Sequence, residues 1–276
     1  MSLAQQFAAY AEWRSQLGGG LERLRTWLIE NELNDAQSDL RLSHLTERLR
    51  EDRLHVAFVA EFSRGKSELI NAIFFADYGN RMLPSSAGRT TMCPTELMFD
   101  PAKEPCVELL PIETRANNAS VSEYKRFAEE WKTVPLNVAS PEAMQETLRH
   151  VSEVTRVDRA AAESLGFAVG DDSLESFHVG EDGLVEIPRW RHAIINFPHP
   201  LLKQGLVILD TPGLNAIGTE PELTLSLLPN AHAVLFVLSA DTGVTQSDLA
   251  IWREHVEAPE GRKKGRLVVL NKLDGQ

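Results

Sequence analysis

The stretch VAFVAEFSRGKSELINAIF, residues 56–74, decides the fold because it predicts a buried strand, a tight loop and a helix in immediate succession. His55 to Val59 form a short β-branched and aromatic run, as expected for a strand covered on both faces of a parallel sheet. Apolar residues then recur at helical spacing, namely Leu69, Ile70, Ile73 and Phe74. The order predicts an α/β fold with a mostly parallel sheet flanked by helices.

The loop within this stretch, residues 60–67, matches the phosphate-binding pattern GxxxxGK[ST] except at the first position, where Ala60 replaces glycine. We expect its backbone N–H groups to surround a β-phosphate at the start of a helix, where the helix dipole favours an anion. Lys66 adds a positive charge for the β- and γ-phosphates, and the Ser67 hydroxyl can bind Mg²⁺. The predicted nucleotide-binding residues here are Glu61, Phe62, Ser63, Arg64, Gly65, Lys66, Ser67 and Glu68.

Two departures qualify this loop. Because Ala60 lacks the backbone freedom of glycine, the chain must enter the loop through ordinary φ and ψ values. Glu68 places a carboxylate in the first helical turn, where it suits the helix dipole but repels the phosphates of a nucleotide.

Two later apolar strands end in motifs that belong with a phosphate loop. The first, GLVILDTPG at residues 205–213, places Asp210 beside the metal and the Gly213 N–H toward a γ-phosphate. The second, RLVVLNKLD at residues 266–274, ends in the motif that reads guanine in P-loop GTPases, through Asn271, Lys272 and Asp274. Since open α/β sheets bind ligands at the carboxyl ends of their strands, the three motifs together predict a GTP site.

A first switch is expected in the loop at residues 80–95, which is rich in Ser, Gly and Pro and leads into a strand at Glu96 to Phe99. A switch threonine binds Mg²⁺ through its hydroxyl and the γ-phosphate through its backbone. We assign this role to Thr91, with Thr90 as the alternative. Cys93 is interpreted as a small strand residue, not as a nucleophile.

Composition limits the other function classes. The chain has 276 residues, 43% of them hydrophobic, and a formal net charge of −12, which argues against a broad nucleic-acid-binding face. Two cysteines without CxxC spacing indicate a reduced, cytoplasmic setting. No apolar run approaches 18 residues, so none is expected to cross a bilayer.

The domain organisation is predicted as a helical arm over residues 1–54 and a nucleotide domain over residues 55–276. We expect the arm's helices to break near Gly18–Gly20 and near Asn34–Asp35. The arm either packs on the nucleotide domain or bundles with helices from elsewhere in the chain or from a partner.

Residues 100–189 are predicted to be a large insertion in the nucleotide domain. We expect a strand at Val107 to Ile112, helices at 121–131 and 141–159, and a polar connection at 166–183. Residues 190–198 are expected to pair with the strand at 205–210 as a hairpin. The histidines, which lack metal-ligand spacing, and the tryptophans of this region are interpreted as ordinary packing or surface residues: His150, His178, His192, His199, Trp131 and Trp190.

Four segments together resemble the bacterial dynamin-like proteins. They are VAEFSRGKSELINAIF (59–74), LPSSAGRTTMCPTEL (83–97), FPHPLLKQGLVILDTPGLN (197–215) and VLFVLSADTGVTQSDLAIW (234–252). The resemblance implies a P-loop NTPase fold with a Ras-like GTPase core, a helical neck, a stalk beyond the domain and a homodimer formed across the GTP site.

Leu214 occupies the position where Ras-like enzymes place a water-orienting glutamine. The resemblance therefore implies that hydrolysis depends on the Thr91 backbone, on a monovalent cation (K⁺ or Na⁺) bound by Ser63, and on a dimer partner. Arg64 is either an arginine finger acting in cis or a residue that faces solvent or a dimer partner. With Lys66, these residues form the predicted catalytic set.

The function predicted is binding of GTP and GDP with Mg²⁺, held by Ser67, Thr91 and Asp210, and hydrolysis of GTP. We expect the domain to continue beyond Gln276, because a GTPase sheet needs another strand and a closing helix. Membrane remodelling, through parts outside this chain and at the inner membrane face, is implied by the resemblance alone. The alternatives are a nucleotide-gated scaffold with little turnover and a small assembly GTPase acting on RNA particles, which the acidic balance and the insertion oppose.

Overall fold

The computed structural model describes residues 3–33, 35–50, 53–61, 63–84, 93–117, 119–167, 182–211, 228, 231–256 and 265–273. Everything below concerns these residues. Among their helices, none combines the length and the apolar composition that crossing a bilayer requires.

The N-terminal arm consists of two helices, α1 (Leu3–Glu30) and α2 (Ala36–Arg50). The predicted break at Gly18–Gly20 is wrong, because α1 runs through all three glycines. A glycine costs only about 1 kcal/mol relative to alanine inside a helix, and packing along α2 offsets this cost. The arm does break after α1, where the Asp35 carboxylate accepts the backbone N–H groups of Gln37 and Ser38 and caps α2.

One eight-stranded sheet organises the rest of the described chain. Its strands are β1 (Leu54–Val59), β2 (Thr95–Met98), β3 (Cys106–Pro111), β4 (Lys132–Pro135), β7 (Trp190–Asn196), β8 (Leu206–Asp210), β9 (Ala233–Ser239) and β10 (Gly265–Asn271). They lie in the order β10-β9-β1-β8-β2-β7-β3-β4, while β5 (Val154–Val157) and β6 (Val185–Pro188) form a separate antiparallel pair. The four strands from β10 to β8 are mutually parallel, which confirms the predicted α/β class.

The predicted hairpin between residues 190–198 and the strand at 205–210 is wrong. Strand β2 lies between β7 and β8, parallel to β7 and antiparallel to β8. A local pattern shows that two strands exist, but their neighbours are set by packing of residues far apart in the sequence.

The helices of the nucleotide domain begin at recognisable caps. They are α3 (Lys66–Phe74), α4 (Val121–Tyr124), α5 (Pro141–Arg149), α6 (Arg159–Ser164), α7 (Pro200–Lys203) and α8 (Gln246–Ile251), the last followed by a π-helical turn at Trp252–Val256. Ser120, Ser140 and Asp158 accept backbone N–H groups at the starts of α4, α5 and α6. Thr245 and Asp248 form a reciprocal capping box at the start of α8.

The insertion departs from its prediction in two places. The helix expected over 141–159 ends at Arg149, and β5 begins at Val154. The helix expected over 121–131 ends at Tyr124, with a separate 3₁₀ turn at Ala128–Glu130. The strand predicted at 107–112 corresponds to β3 and joins the main sheet beside β7.

Two apolar layers cover the main sheet. One contains Phe58, Ile70, Phe74, Met144 and Trp190, and the other contains Ala57, Leu209, Phe236, Trp131 and Ile251. A smaller core of the insertion holds Ile112, Phe167 and Ile187. Both cysteines, Cys93 and Cys106, are buried.

Candidate nucleotide site

The carboxyl ends of four parallel strands meet at one edge of the sheet. In the sheet register Phe58 of β1 lies beside Asp210 of β8, and Ser239 of β9 lies beside Asn271 of β10. The three predicted motifs follow β1, β8 and β10, so they converge at this edge although more than 200 residues separate the first from the last.

The phosphate loop joins β1 to α3 with two left-handed residues, Ser63 (φ 64°) and Gly65 (φ 81°). Ala60 is fully buried and is not among the residues with positive φ, as the sequence required. Left-handed residues within a loop turn successive N–H groups toward one side, which creates a concave site for an anion. Gly65 also leaves room for a neighbour, since a Cβ at this position would lie 2.4 Å from Asn271 Nδ2.

Lys66 and Asp210 form a buried ion pair at the start of α3 and the end of β8. Burial lowers the pKa of the Lys66 ammonium to about 7, whereas the adjacent carboxylate favours its charged form. The next residue, Thr211, donates its hydroxyl to the Phe58 carbonyl at 2.8 Å and ties the end of β8 to β1. A lysine and a carboxylate are thus held together where phosphates and a metal would be bound.

The segment predicted to read guanine, which begins at Asn271 and is called the base-reading segment below, contacts the predicted phosphate loop directly. The Asn271 side-chain amide donates to the carbonyls of Arg64 at 3.0 Å and of Gly65 at 3.3 Å. Lys272, also left-handed at φ 57°, places its ammonium 3.2 Å from Asp241 Oδ2. Ser239 donates to the same carboxylate and, with Lys272, holds the pKa of Asp241 below its usual value.

Arg64 is buried and does not face solvent. Its guanidinium pairs with Glu61 and with Asp248, whose Oδ2 lies 3.0 Å away, and donates to the hydroxyls of Thr242 and Thr245. Asp248, Thr242 and Thr245 were not predicted as site residues. The TxxD pattern at 245–248 could have located the helix start, but no sequence signal connects it with Arg64.

The other predicted loop residues have ordinary surroundings. Ser63 is exposed at the tip of the loop, and Ser67 is the second residue of α3. Glu68 pairs with Arg81 at 3.0 Å, so this cation offsets the repulsion expected between Glu68 and phosphates. Several predicted residues lie outside the described part of the chain, namely Phe62, Thr90, Thr91, His178, Gly213, Leu214 and Asp274, as does most of the polar connection at 166–183.

The donor set at this edge suits Mg²⁺, which prefers hydroxyl and carboxylate oxygens and keeps several waters and phosphate ligands. Ser67 and Asp210 supply one oxygen donor group of each kind. Among the described residues, no group of three or more His, Cys, Asp or Glu side chains could hold a metal ion. Of the residues that the structure describes, these two would hold the metal together with the phosphates of a nucleotide.

Comparison with known proteins gives several relatives. The chain is 22% identical over 250 residues to the bacterial dynamin-like protein of Nostoc punctiforme, covering 87% of this chain and 29% of the relative. It is 40% identical over 83 residues to the isoniazid-induced protein IniA of Mycobacterium tuberculosis, covering 29% of this chain and 12% of that one. It is 40% identical over 78 residues to a probable transmembrane GTPase, FZO-like and chloroplastic, of Arabidopsis thaliana, covering 28% of this chain and 8% of that one. The chain thus spans less than a third of the length of these curated relatives.

A solved structure described as an oligomerised bacterial dynamin pair for the long-range sensing and tethering of membranes matches at a TM-score of 0.45 and 20% identity. That match covers 87% of this chain and 29% of the solved chain. The family model described as the dynamin family matches residues 56–273, from the first strand to the base-reading segment. The chain therefore belongs to the dynamin family.

Proposed function

We propose that this chain binds GTP with Mg²⁺ at the edge formed by β1, β8 and β10 and hydrolyses it to GDP and phosphate. The observation that carries the proposal is the meeting of three distant segments. Lys66 is paired with Asp210, and Asn271 is bonded to the phosphate loop. A nucleotide needs these groups together, and open α/β sheets bind ligands at the carboxyl ends of their strands, where these groups lie.

Each group has a role that follows from its chemistry. The loop backbone and Lys66 hold the β- and γ-phosphates. Ser67, Asp210 and Thr91 would hold Mg²⁺, which would offset the charge of these phosphates. Asn271, Lys272 and Asp274 select guanine, and the Gly213 N–H contacts the γ-phosphate. The Thr91 backbone orients the attacking water, with Ser63 holding a monovalent cation, K⁺ or Na⁺, in place of the glutamine that Leu214 replaces.

Calorimetry with GTP, GDP and ATP tests the binding step. We expect the wild type to bind GTP and GDP but not ATP, and Lys66→Ala to weaken GDP binding by at least about 100-fold, because a phosphate loses its main cationic contact. The matched control is Lys132→Ala on β4, an exposed lysine away from the site, which should bind like the wild type. Equal affinity for ATP, or an unaffected Lys66→Ala, would contradict the proposal.

A second candidate is a scaffold that binds GTP but turns it over little. The burial of Arg64 against Glu61 and Asp248 favours it, because a guanidinium held there is withheld from the γ-phosphate. Phosphate release at saturating GTP separates the two functions. Tight binding without release above the uncatalysed rate identifies the scaffold.

Membership of the dynamin family supports a further step, a homodimer that forms across the nucleotide site and drives assembly at a membrane. Light scattering with GDP and with a non-hydrolysable GTP analogue tests the dimer. We expect dimers with the analogue alone. Because membrane contact is expected through parts outside this chain, co-sedimentation of a longer version with anionic vesicles tests a peripheral membrane location. The acidic balance of the chain opposes nucleic acid as a partner.

A further inference from the structure

The conformation of the phosphate loop needs an explanation, because Ser63 is left-handed without being glycine. A non-glycine residue in this region costs about 1 kcal/mol or more and persists only where surrounding contacts hold it. Arg64 lies between the two left-handed residues, Ser63 and Gly65. Contacts made by Arg64 are therefore placed to hold the curve of the loop.

Arg64 is anchored at both its backbone and its side chain, and the anchors come from different segments. The carbonyl accepts the Asn271 amide of β10 at 3.0 Å. The guanidinium reaches in another direction, to Asp248 at 3.0 Å and Thr245 at 3.3 Å at the start of α8. Glu61 joins the same cluster, since its carboxylate accepts the Ser247 hydroxyl at 2.6 Å and the Thr245 hydroxyl at 3.2 Å.

Net stabilisation does not account for this cluster. Among the described residues, Arg64 Nε and Asp248 Oδ1 are buried and have no hydrogen-bond partner. A buried polar network with unsatisfied members is less favourable than an apolar core of the same shape. What the cluster does supply is a defined geometry between two segments that no main-chain ladder joins.

We propose that Arg64 is a positioning residue that locks the phosphate loop to the start of α8 through Asp248, and that it is not an arginine finger. The proposal rests on the proposed function, because the curve that it holds is the one that receives the phosphates. The structure gives the guanidinium four partners: Glu61 in the loop, Thr242 in the connection between β9 and α8, and Thr245 and Asp248 at the start of α8. A finger would have to give up these contacts in every catalytic cycle.

The two roles predict different kinetics for Arg64→Ala and Asp248→Asn. A lock predicts that each variant weakens GDP binding about 10-fold and leaves kcat at saturating GTP within about threefold, because a loosened loop can still close around the nucleotide. A finger predicts that Arg64→Ala lowers kcat by about 10³ to 10⁵ while Asp248→Asn leaves it unchanged. Single-turnover hydrolysis and GDP calorimetry on both variants decide between them.

Asp248→Asn is the more informative change, because an asparagine oxygen can still accept the Thr245 N–H and so preserve the cap of α8, while the ion pair with Arg64 is reduced to a weaker hydrogen bond to a neutral acceptor. Its control is Asp158→Asn, which makes the same substitution at the N-cap of α6 in the insertion, where the carboxylate accepts the Ala161 N–H. The control should bind GDP like the wild type. If Asp248→Asn also binds like the wild type, the lock is overturned, even if Arg64→Ala does not fold.

A double-mutant cycle on the same pair provides a readout that needs no nucleotide. If Arg64 and Asp248 act through each other, the double variant is no less stable to unfolding than the less stable single variant. Strictly additive losses would overturn the lock. A wild type that binds no guanine nucleotide would instead overturn the proposed function, and this stability cycle would then decide the lock alone.

Discussion

Two buried ion clusters in the described part of the chain are built in different ways. Beside the phosphate loop, Arg64 joins Glu61 and Asp248, which come from a loop and a helix start. Under the insertion, Glu96 of β2 accepts from Lys125 Nζ at 2.6 and 2.8 Å and lies 2.9 Å from His192 Nε2 of β7. The first cluster positions a loop, whereas the second fastens two neighbouring strands to the layer that covers them.

The two clusters differ in the other contacts that fix the positions of their charged residues. Glu96 and His192 sit on adjacent strands whose backbones already pair in parallel register. Burial alone would raise the pKa of the Glu96 carboxyl, but the hydrogen bond from His192 and the charge of Lys125 hold it well below its usual value. The loop cluster has no such ladder, so its side chains determine the geometry. A change in the strand cluster should thus lower stability, and a change near the loop should lower nucleotide affinity.

The largest effect is expected for Glu96→Ala. Removing this carboxylate leaves Lys125 and buried His192 without their partner and should lower the free energy of unfolding by about 3 to 5 kcal/mol. Denaturant titration measures the loss. Wherever the variant is folded, its GDP affinity should equal that of the wild type.

Two further variants serve as controls for this prediction. Glu96→Gln keeps the shape and one hydrogen bond and should lose about half as much. Glu146→Ala removes an exposed carboxylate paired with Arg149 and should change stability by less than about 0.5 kcal/mol. If folded Glu96→Ala no longer binds GDP, the strand cluster affects nucleotide binding as well as stability, and the proposed difference between the two clusters is wrong.

The opposite outcome is expected for Gly65→Ala. Its Cβ would meet Asn271 Nδ2 and force the loop away from the base-reading segment, so GDP affinity should fall about 100-fold, or about 3 kcal/mol. Stability should fall by only about 1 kcal/mol. Calorimetry and thermal unfolding measure the two quantities.

Gly79→Ala is the matched control, because Gly79 has a similar φ of 67° but nothing lies within 4 Å of its would-be Cβ. It has the same backbone strain without the collision. If both variants lose affinity equally, the contact between Gly65 and Asn271 does not shape the site.

The smallest predicted effect is a pH dependence near the strand cluster. His55 on β1 is partly buried, and its backbone N–H donates to His232 Nδ1 at 3.1 Å. Burial lowers the pKa of His55 to about 4; Glu96 opposes this shift, while Lys125, His232 and Arg53 add to it. Between pH 6.5 and 4 the unfolded chain therefore binds a proton that the folded chain does not, so stability falls as pH falls.

After allowance for partial exposure, the His55 contribution is about 2 kcal/mol over this interval. Unfolding of wild type and His55→Gln at several pH values isolates it, because other titrating groups are common to both. Parallel pH profiles would show that His55 is not a buried neutral ring. Nucleotide affinity should show no corresponding difference.

Structural elements that depend on neighbouring residues could be predicted from the sequence, whereas the order of strands, which depends on distant residues, could not. Strand, loop and helix at residues 56–74 follow from local periodicity, as do the strands that end at Asp210 and Asn271. The position of β2 between β7 and β8 does not, because strand order follows from packing across the whole sheet. The predicted helix at 141–159 wrongly included the short β-branched run at Val154–Val157, because four residues give too little periodicity to distinguish a strand from a helix.

The same limit applies to the candidate site. Lys66 and Asp210 could be expected together because phosphate and metal chemistry requires both at one edge. The pairing of Arg64 with Asp248 could not, because an arginine in a loop has many acceptors available to it. Only the fold brings the start of α8 within its reach.

The burial of both cysteines has a practical consequence. Cys93 and Cys106 are 1% and 5% exposed, and burial raises the pKa of the Cys106 thiol, which leaves little reactive thiolate. A maleimide in solution should therefore label each thiol only when its surroundings open. Cys93 lies two residues before β2, on the side of the predicted switch, whereas Cys106 begins β3 between β7 and β4. The two labelling rates should therefore report separately how often each of these two parts of the sheet opens.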